Sequence, residues 1–314
     1  MNSVSRRQWL AGLAAASMQT GLAAEGKDRF TICAFSKHFQ WTDVRGAAET
    51  ARELGYDGLD LTVRRAGHVL PERVRDDLPK AAEAIAKAGI KLPMVTTDIV
   101  DPETPHAEAV LKTLASLGVR HYRWGGFRYD LQKGLPPQLD EFKLRVKDLA
   151  AMNKQYGLCA MYHTHSGPTQ VGASMWDLYL LLKDFDPNFV SANYDIGHAT
   201  VEGGYGGWMH SSRLLLPFTR GIAVKDFRWI QNAKGAWVPG WCALGDGMVN
   251  FKPFFAQMRK AGFAGPLQLH MEYPELGSAA TGKFESSVPK DQLLAMMRRD
   301  ITRLKDLLRE APGA

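Results

Sequence analysis

Eight short β-rich runs alternate with helical patterns along this chain, and that alternation limits its fold more than any other feature. The runs are Phe30–Phe35, Gly58–Leu61, Lys91–Val95, Val119–Trp124, Leu158–His163, Phe189–Tyr194, Gly221–Val224 and Pro266–Met271. Helical patterns separate them at Thr42–Leu54, Val74–Ala88, Pro105–Leu117, Pro137–Tyr156, Ser174–Asp184, Tyr205–Leu216 (only in part) and Phe251–Ala261, and an amphipathic Val288–Arg309 closes the series. A glycine stands where several of these patterns stop, as Gly55 and Gly157 do, which suits the left-handed residue that ends a helix. The runs recur at roughly 25–40 residues, the length a parallel strand needs to return through a crossover helix. Eight such units predict one closed (β/α)8 barrel. An open doubly wound sheet competes, but no GxGxxG follows the first run. No linker divides residues 25–314, so they are read as a single barrel domain.

The first 24 residues read differently. Ser5-Arg6-Arg7-Gln8-Trp9-Leu10 is a twin-arginine pattern, an apolar run follows to Met18, and Gly21-Leu22-Ala23-Ala24 offers small residues for cleavage after Ala23 or Ala24. The expectation is a signal peptide at 1–24 and a periplasmic product exported by the twin-arginine route. Without Arg6 and Arg7 the net charge drops from +6 to +4, and no Lys/Arg-rich block remains, so no nucleic-acid partner is expected. No later apolar stretch approaches the ~20 residues that span a bilayer. Cys33, Cys159 and Cys242 are odd in number, far apart and without a CxxC, which argues against a disulfide framework or a zinc ribbon.

In a (β/α)8 barrel, chemistry sits at the C-terminal ends of the strands. His38, Asp60, Asp98, Arg123, His163, His165, Asp195, His198, Lys225, Asp226, His270 and Glu272 lie at or just past those ends. Four of the nine histidines fall at the ends of runs five, six and eight. His163 and His165 are two apart and share one face if both are extended, as do His270 and Glu272. Such a mixture of imidazole and carboxylate suits one divalent ion of Mn, Zn, Co or Fe better than calcium. A polar mouth that binds sugar without metal is the alternative. Arg64 and His68 follow the second run as candidates for substrate contact, as does Arg123 after the fourth. Trp41, Trp124, Trp208, Trp229, Trp237 and Trp241 are candidates for stacking on sugar rings.

Tyr194-Asp195-Ile196-Gly197-His198, Val224-Lys225-Asp226, Leu244-Gly245-Asp246-Gly247 and Leu269-His270-Met271-Glu272-Tyr273 resemble the xylose isomerase-like TIM-barrel superfamily, the sugar phosphate isomerase/epimerase family. The resemblance implies one divalent metal held by Glu, Asp, His and Glu from strands five to eight. Asp195 and Glu272 match the second and fourth ligands, and His198 matches a histidine that touches substrate. Two positions depart. His163-Thr164-His165 stands in place of Glu-Asn-His, and Ala223 stands in place of the strand-seven histidine. The expected metal set is therefore His163, Asp195, His270 and Glu272, with His165 as another imidazole able to reach the mouth. The expected catalytic groups are Glu272, Lys225 and His198, and the expected substrate contacts are Arg123, His165, Arg64 and His68.

The resemblance implies a sugar isomerase or epimerase that moves a proton next to a carbonyl, with a divalent metal stabilising the enediolate. A lyase acting on a keto-sugar or keto-glycoside would use the same enediolate. A non-catalytic periplasmic sugar-binding barrel is the reading from outside enzymology. The expected partner in each case is a small sugar or sugar derivative, and the sequence leaves the oligomeric state open.

Overall fold

The structure, a computed structural model, describes residues 30–313, so the expected signal at 1–24 lies outside the described residues. Eight parallel strands close the barrel: β1 (Thr31–Phe35), β2 (Gly58–Val63), β3 (Lys91–Thr97), β4 (His121–Trp124), β5 (Cys159–His163), β6 (Val190–Asp195), β7 (Thr219–Val224) and β10 (Pro266–Leu269). They follow one another in sequence around the barrel, with β10 returning beside β1. The single (β/α)8 barrel expected from the alternation is the observed fold.

Helices α1 (Val44–Leu54), α2 (Val74–Lys87), α3 (Ala107–Ser116), α4 (Leu135–Tyr156), α5 (Trp176–Leu182), α8 (Phe251–Lys260) and α10 (Lys290–Glu310) occupy the expected crossovers. Asp43 caps α1 by accepting from the Gly46 N–H, and Gly55 ends it with φ 91. Among the described residues no helix is long and apolar enough to cross a membrane.

Two elements depart from the expectation. The partly helical stretch after β6 is two helices, α6 (Ile196–Gly203) and α7 (Gly207–Leu215), with a four-residue α9 (Ser278–Thr281) added after β10. Asp195 both ends β6 and caps α6, so the helix starts at once and leaves no loop signal. A hairpin, β8 (Asp226–Gln231) and β9 (Trp237–Cys242), stands outside the barrel, between the seventh run and the helical pattern at Phe251–Ala261. Its turn is local: the Asn232 side chain accepts from the Lys234 and Ala236 N–H groups, and Gly235 takes φ 75.

The period of two along each strand divides the chemistry. Outward residues such as Ile32, Leu59, Leu61, Tyr122, Tyr162, Val224 and Leu267 join the hydrophobic layer under the helices. The alternate residues fill the barrel, and they are unusually polar. Ser191 donates to the Ala160 carbonyl and meets the Cys159 thiol, and Asn193 donates across to Gln268 at 2.7 Å. Met94, Cys159 and Met161 form a small sulfur-rich cluster beneath them. Small residues at Gly221 and Ala223 on β7 leave room for this network; a Cβ on Gly221 would come within 2.6 Å of the Asn193 amide oxygen.

Candidate active site at the barrel mouth

Strand geometry delivers the site. His163, Asp195 and Lys225 sit at or one residue past the ends of β5, β6 and β7, and His270 follows β10. All four are inward and buried. Gly197, in the first turn of α6, lets that helix press on the end of β7, since a Cβ there would meet the Lys225 carbonyl oxygen at 2.7 Å.

The acidic centre of the mouth is Glu272. Its two oxygens accept separately from Lys225 and Lys37, each at 2.7 Å. Burial pushes this carboxyl up, but the two ammonium groups outweigh burial and hold it well below the usual range. Lys225 is the more enclosed partner, with 3% of its side chain exposed against 22% for Glu272. Its ammonium also stands 3.5 Å from Asp195 and 4.3 Å from the centre of the Trp241 ring. Glu272 is thus an ionised, partly exposed acceptor between two cations, linked to Asp195 through Lys225, and it is outside the two groups of close ligand atoms formed by Asp195 and the histidines.

The histidines form the second half. One ligand atom each from His163, Asp195 and His270 lie within 4.8 Å of one another, and the same holds for His163, His165 and His198. His163 Nε2, Asp195 Oδ2, His198 Nε2 and both nitrogens of His270 are buried without a hydrogen-bond partner. Buried polar atoms are normally satisfied, so five orphans in one place mark where an ion, a ligand or ordered water binds. The His163–Asp195–His270 group offers imidazole nitrogen and carboxylate oxygen, the donor types of a transition-metal site. His198 belongs to the second group. Its Nδ1 accepts from the Ser166 N–H and faces the Ser166 hydroxyl at 2.7 Å, so its Nε2 carries the proton and suits a substrate oxygen. The Asn193 amide nitrogen faces His163 Nδ1 in the same way at 3.0 Å, so a cation at His163 Nε2 requires that amide to turn and present its oxygen, which is buried without a partner.

Burial holds His163, His165, His198 and His270 well below their ordinary range, helped by Arg123, Lys225 or neighbouring imidazoles. A lowered histidine pKa keeps the neutral form as pH falls through the normal range. These four rings are therefore expected to show no protonation between pH 8 and 6 in 15N-detected NMR. Titration near the ordinary 6.5 would mean that the mouth is open to water.

The remaining expected residues separate into two groups. Arg123 meets His165 Nε2 at 3.2 Å, and Arg123 and Arg64 lie over the Phe35 ring at 5.9 and 5.8 Å. His68 stays apart, with Nδ1 against the Thr62 hydroxyl at 3.3 Å and its ring packed toward the loop before α1. Trp124 and Trp208 are buried in β4 and α7, so only Trp241 of the six tryptophans touches the cluster. His38 is fully used: Nδ1 faces the Ala279 carbonyl and Nε2 accepts from the Met271 N–H, each at 3.0 Å. Asp226 binds four backbone N–H groups of its own strand and the 245–249 loop, which makes it the anchor of that loop.

Sequence reasoning missed Lys37 and Asn193. Lys37 lies in the single turn Ser36–Phe39 that continues β1, one residue before a histidine that drew more notice. Asn193 is two residues before Asp195, so the period of two placed it inward; its amide stands 3.0 Å from His163 Nδ1 and orients that ring.

Comparison with known proteins shows the family and the fold. The profile of the family described as xylose isomerase-like TIM barrel matches residues 48–299. A search of curated proteins finds no match. Among solved structures, a xylose isomerase-like TIM barrel protein from Mycobacterium smegmatis in complex with magnesium is 17% identical with TM-score 0.62, covering 90% of this chain and 98% of its own. The 3-keto-D-glucoside 4-epimerase of E. coli is 13% identical with TM-score 0.62, covering 87% and 99%. D-allulose 3-epimerase from Methylomonas sp., in complex with D-allulose, is 14% identical with TM-score 0.63, covering 88% and 97%. Identities this low show a shared fold. The profile match spans most of the chain, and the protein belongs to the xylose isomerase-like TIM barrel family.

Proposed function

We propose that this protein is a sugar isomerase or epimerase that transfers a proton at the carbon next to a carbonyl. The observation that carries the reading is the convergence of five unsatisfied buried polar atoms on a mouth that also holds an ionised carboxylate between two lysines. Structural neighbours that are sugar epimerases support it.

The residues fit a divalent cation, with His163, Asp195 and His270 as its holders and one of Mn, Zn, Co or Fe as its identity. When bound, such an ion supplies Lewis acidity toward the substrate's carbonyl or hydroxyl oxygens. The rest of the chemistry belongs to the chain. Glu272 is the acceptor for the proton on carbon and returns a proton to carbon of the enediolate, and its partly exposed edge gives a sugar access to it. Its depressed basicity is corrected as the proton arrives, because Lys225 and Lys37 can pass their hydrogen bonds to the developing oxyanion. Lys225 already sits between two carboxylates and needs little reorganisation to do so. His198 donates from Nε2 to a second sugar oxygen, and Trp241 covers the ammonium and limits water.

Product analysis tests the reading. With a panel of ketoses and keto-glycosides, one-dimensional NMR should show a new sugar of the same composition. Release of an aglycone or of water would make the enzyme a lyase, and saturable binding without conversion would make it a binding protein. Export by the twin-arginine route belongs to the same proposal. Changing Arg6 and Arg7 together to lysine should trap the protein in the cytoplasm, and an unchanged periplasmic yield would remove the assignment.

A further inference from the structure

The charges at the mouth do not balance for a neutral sugar. Four cations converge there: Lys37, Arg64, Arg123 and Lys225. Lys37 and Lys225 share Glu272, and Lys225 also answers Asp195. Arg64 and Arg123 make no ion pair among the described residues. Arg123's side-chain hydrogen bond goes to a neutral imidazole, His165, at 3.2 Å, and the two guanidinium groups lie within 5.8 and 5.9 Å of one ring centre, that of Phe35. The carboxyl nearest to both in effect is Asp60. It is fully buried below them, and the Thr96 hydroxyl stands 2.9 and 3.0 Å from its two oxygens. Burial raises its pKa to about 7, so it offers the arginines only a partial charge at neutral pH.

Two like-charged forks beside one aromatic ring repel each other, and each lowers the other's tendency to remain there unpaired. Arginine is the side chain that reads a planar or tetrahedral oxyanion through paired N–H donors. Both side chains are half-buried, so they are partly dehydrated yet still reachable from the mouth. A cation held by His163, Asp195 and His270 would add to the positive excess.

We infer that the substrate is an anionic sugar derivative, a sugar acid or a sugar phosphate, whose oxyanion seats between Arg64 and Arg123 while its carbonyl end faces Glu272 and Lys225. The inference rests on the sugar site proposed above and adds the chemical class of its ligand. The anionic group is bound by β2 and β4, and the reacting carbons lie toward β6, β7 and β10. The anion fixes which end of the sugar enters first. Phe35 positions both arginines, since it stacks on His270 at 4.6 Å and touches the two halves of the site at once.

Titration calorimetry on the full-length protein as purified tests this, with a hexuronate, a hexose 6-phosphate and the matching neutral hexose as probes. At least one anion should bind tenfold or more tightly than the neutral hexose. Arg64→Met and Arg123→Met should each weaken that anion by about tenfold to a hundredfold, the range for a lost charge-assisted hydrogen bond, and weaken the neutral hexose by much less, so that the anion preference collapses. Preference for the hexuronate identifies a sugar acid, and preference for the phosphate identifies a sugar phosphate. Arg64 is at the half-exposed rim, so Arg64→Met keeps the test usable if Arg123→Met fails to fold. Equal binding of all three probes, no binding of either anion, or an anion preference retained in Arg64→Met would overturn the inference. The readout is binding. An anion preference without turnover would count against the proposed reaction alone, and turnover of neutral sugars without a preference would count against the anionic class alone.

Discussion

Asp195→Ala should lose the metal and the activity together. The carboxylate is fully buried, its Oδ2 has no hydrogen-bond donor, and it is the one anion among the three closest candidate ligands. Removing it leaves two neutral imidazoles to hold a divalent charge beside the Lys225 ammonium. Metal occupancy by elemental analysis should fall from near one per chain to well under a tenth, and turnover by about a hundredfold or more, the scale on which lost metal-ion catalysis is felt. The same change removes the cap of α6, whose His198 N–H bonds Asp195 at 3.0 Å, so a stability loss of about 1 kcal/mol should accompany it. Asp195→Asn separates the two effects: it keeps a cap acceptor and lacks the charge. Full metal loading in both variants would place the cation elsewhere.

Lys225→Met has the second large effect, and its signature differs. Methionine keeps most of the side chain's length but removes the ammonium that lies over Trp241 and is aimed at the mouth. On the proposed roles kcat falls about a hundredfold to a thousandfold with KM little changed, because a cation that meets a developing oxyanion acts mainly in the transition state. Glu272 keeps Lys37, 2.7 Å away, so the carboxylate stays ionised. Asp195 loses the cation 3.5 Å away, and in metal-free protein it becomes a buried carboxylate with no cation beside it, held by the His198 N–H. Chelated Lys225→Met should therefore be less stable than chelated wild type by about 3–5 kcal/mol, and metal should restore most of that. A variant with near-normal kcat, or one equally destabilised with and without metal, would reduce Lys225 to a structural ion pair.

The barrel was legible because its signal is repeated. Each β run and each glycine stop is weak alone, and eight in series leave few alternatives. The strand-end rule makes His163, His165, Asp195, His198, Lys225, His270 and Glu272 neighbours from the sequence alone. The sequence was silent on partners. Nothing in Leu269-His270-Met271-Glu272 says that Glu272 is claimed by a lysine 235 residues earlier in the chain. The tautomer of His198 depends on Ser166, and the separation of His68 from the mouth depends on how the loop before α1 folds over it. The β8–β9 hairpin is hidden in the sequence because only Lys225 separates it from a barrel strand, and its aromatic residues alternate as a loop's can. These are long-range facts, and local pattern carries no information about them.

The direct test of the central claim is deuterium wash-in. Metal-loaded enzyme in D2O, given a ketose or keto-glycoside that it converts, should place one deuterium at the carbon next to the carbonyl, in both recovered substrate and product. Chelation should slow this by at least a hundredfold, and returned metal should restore it. Conversion without any deuterium at that carbon, or wash-in unchanged by complete removal of metal, would contradict the account.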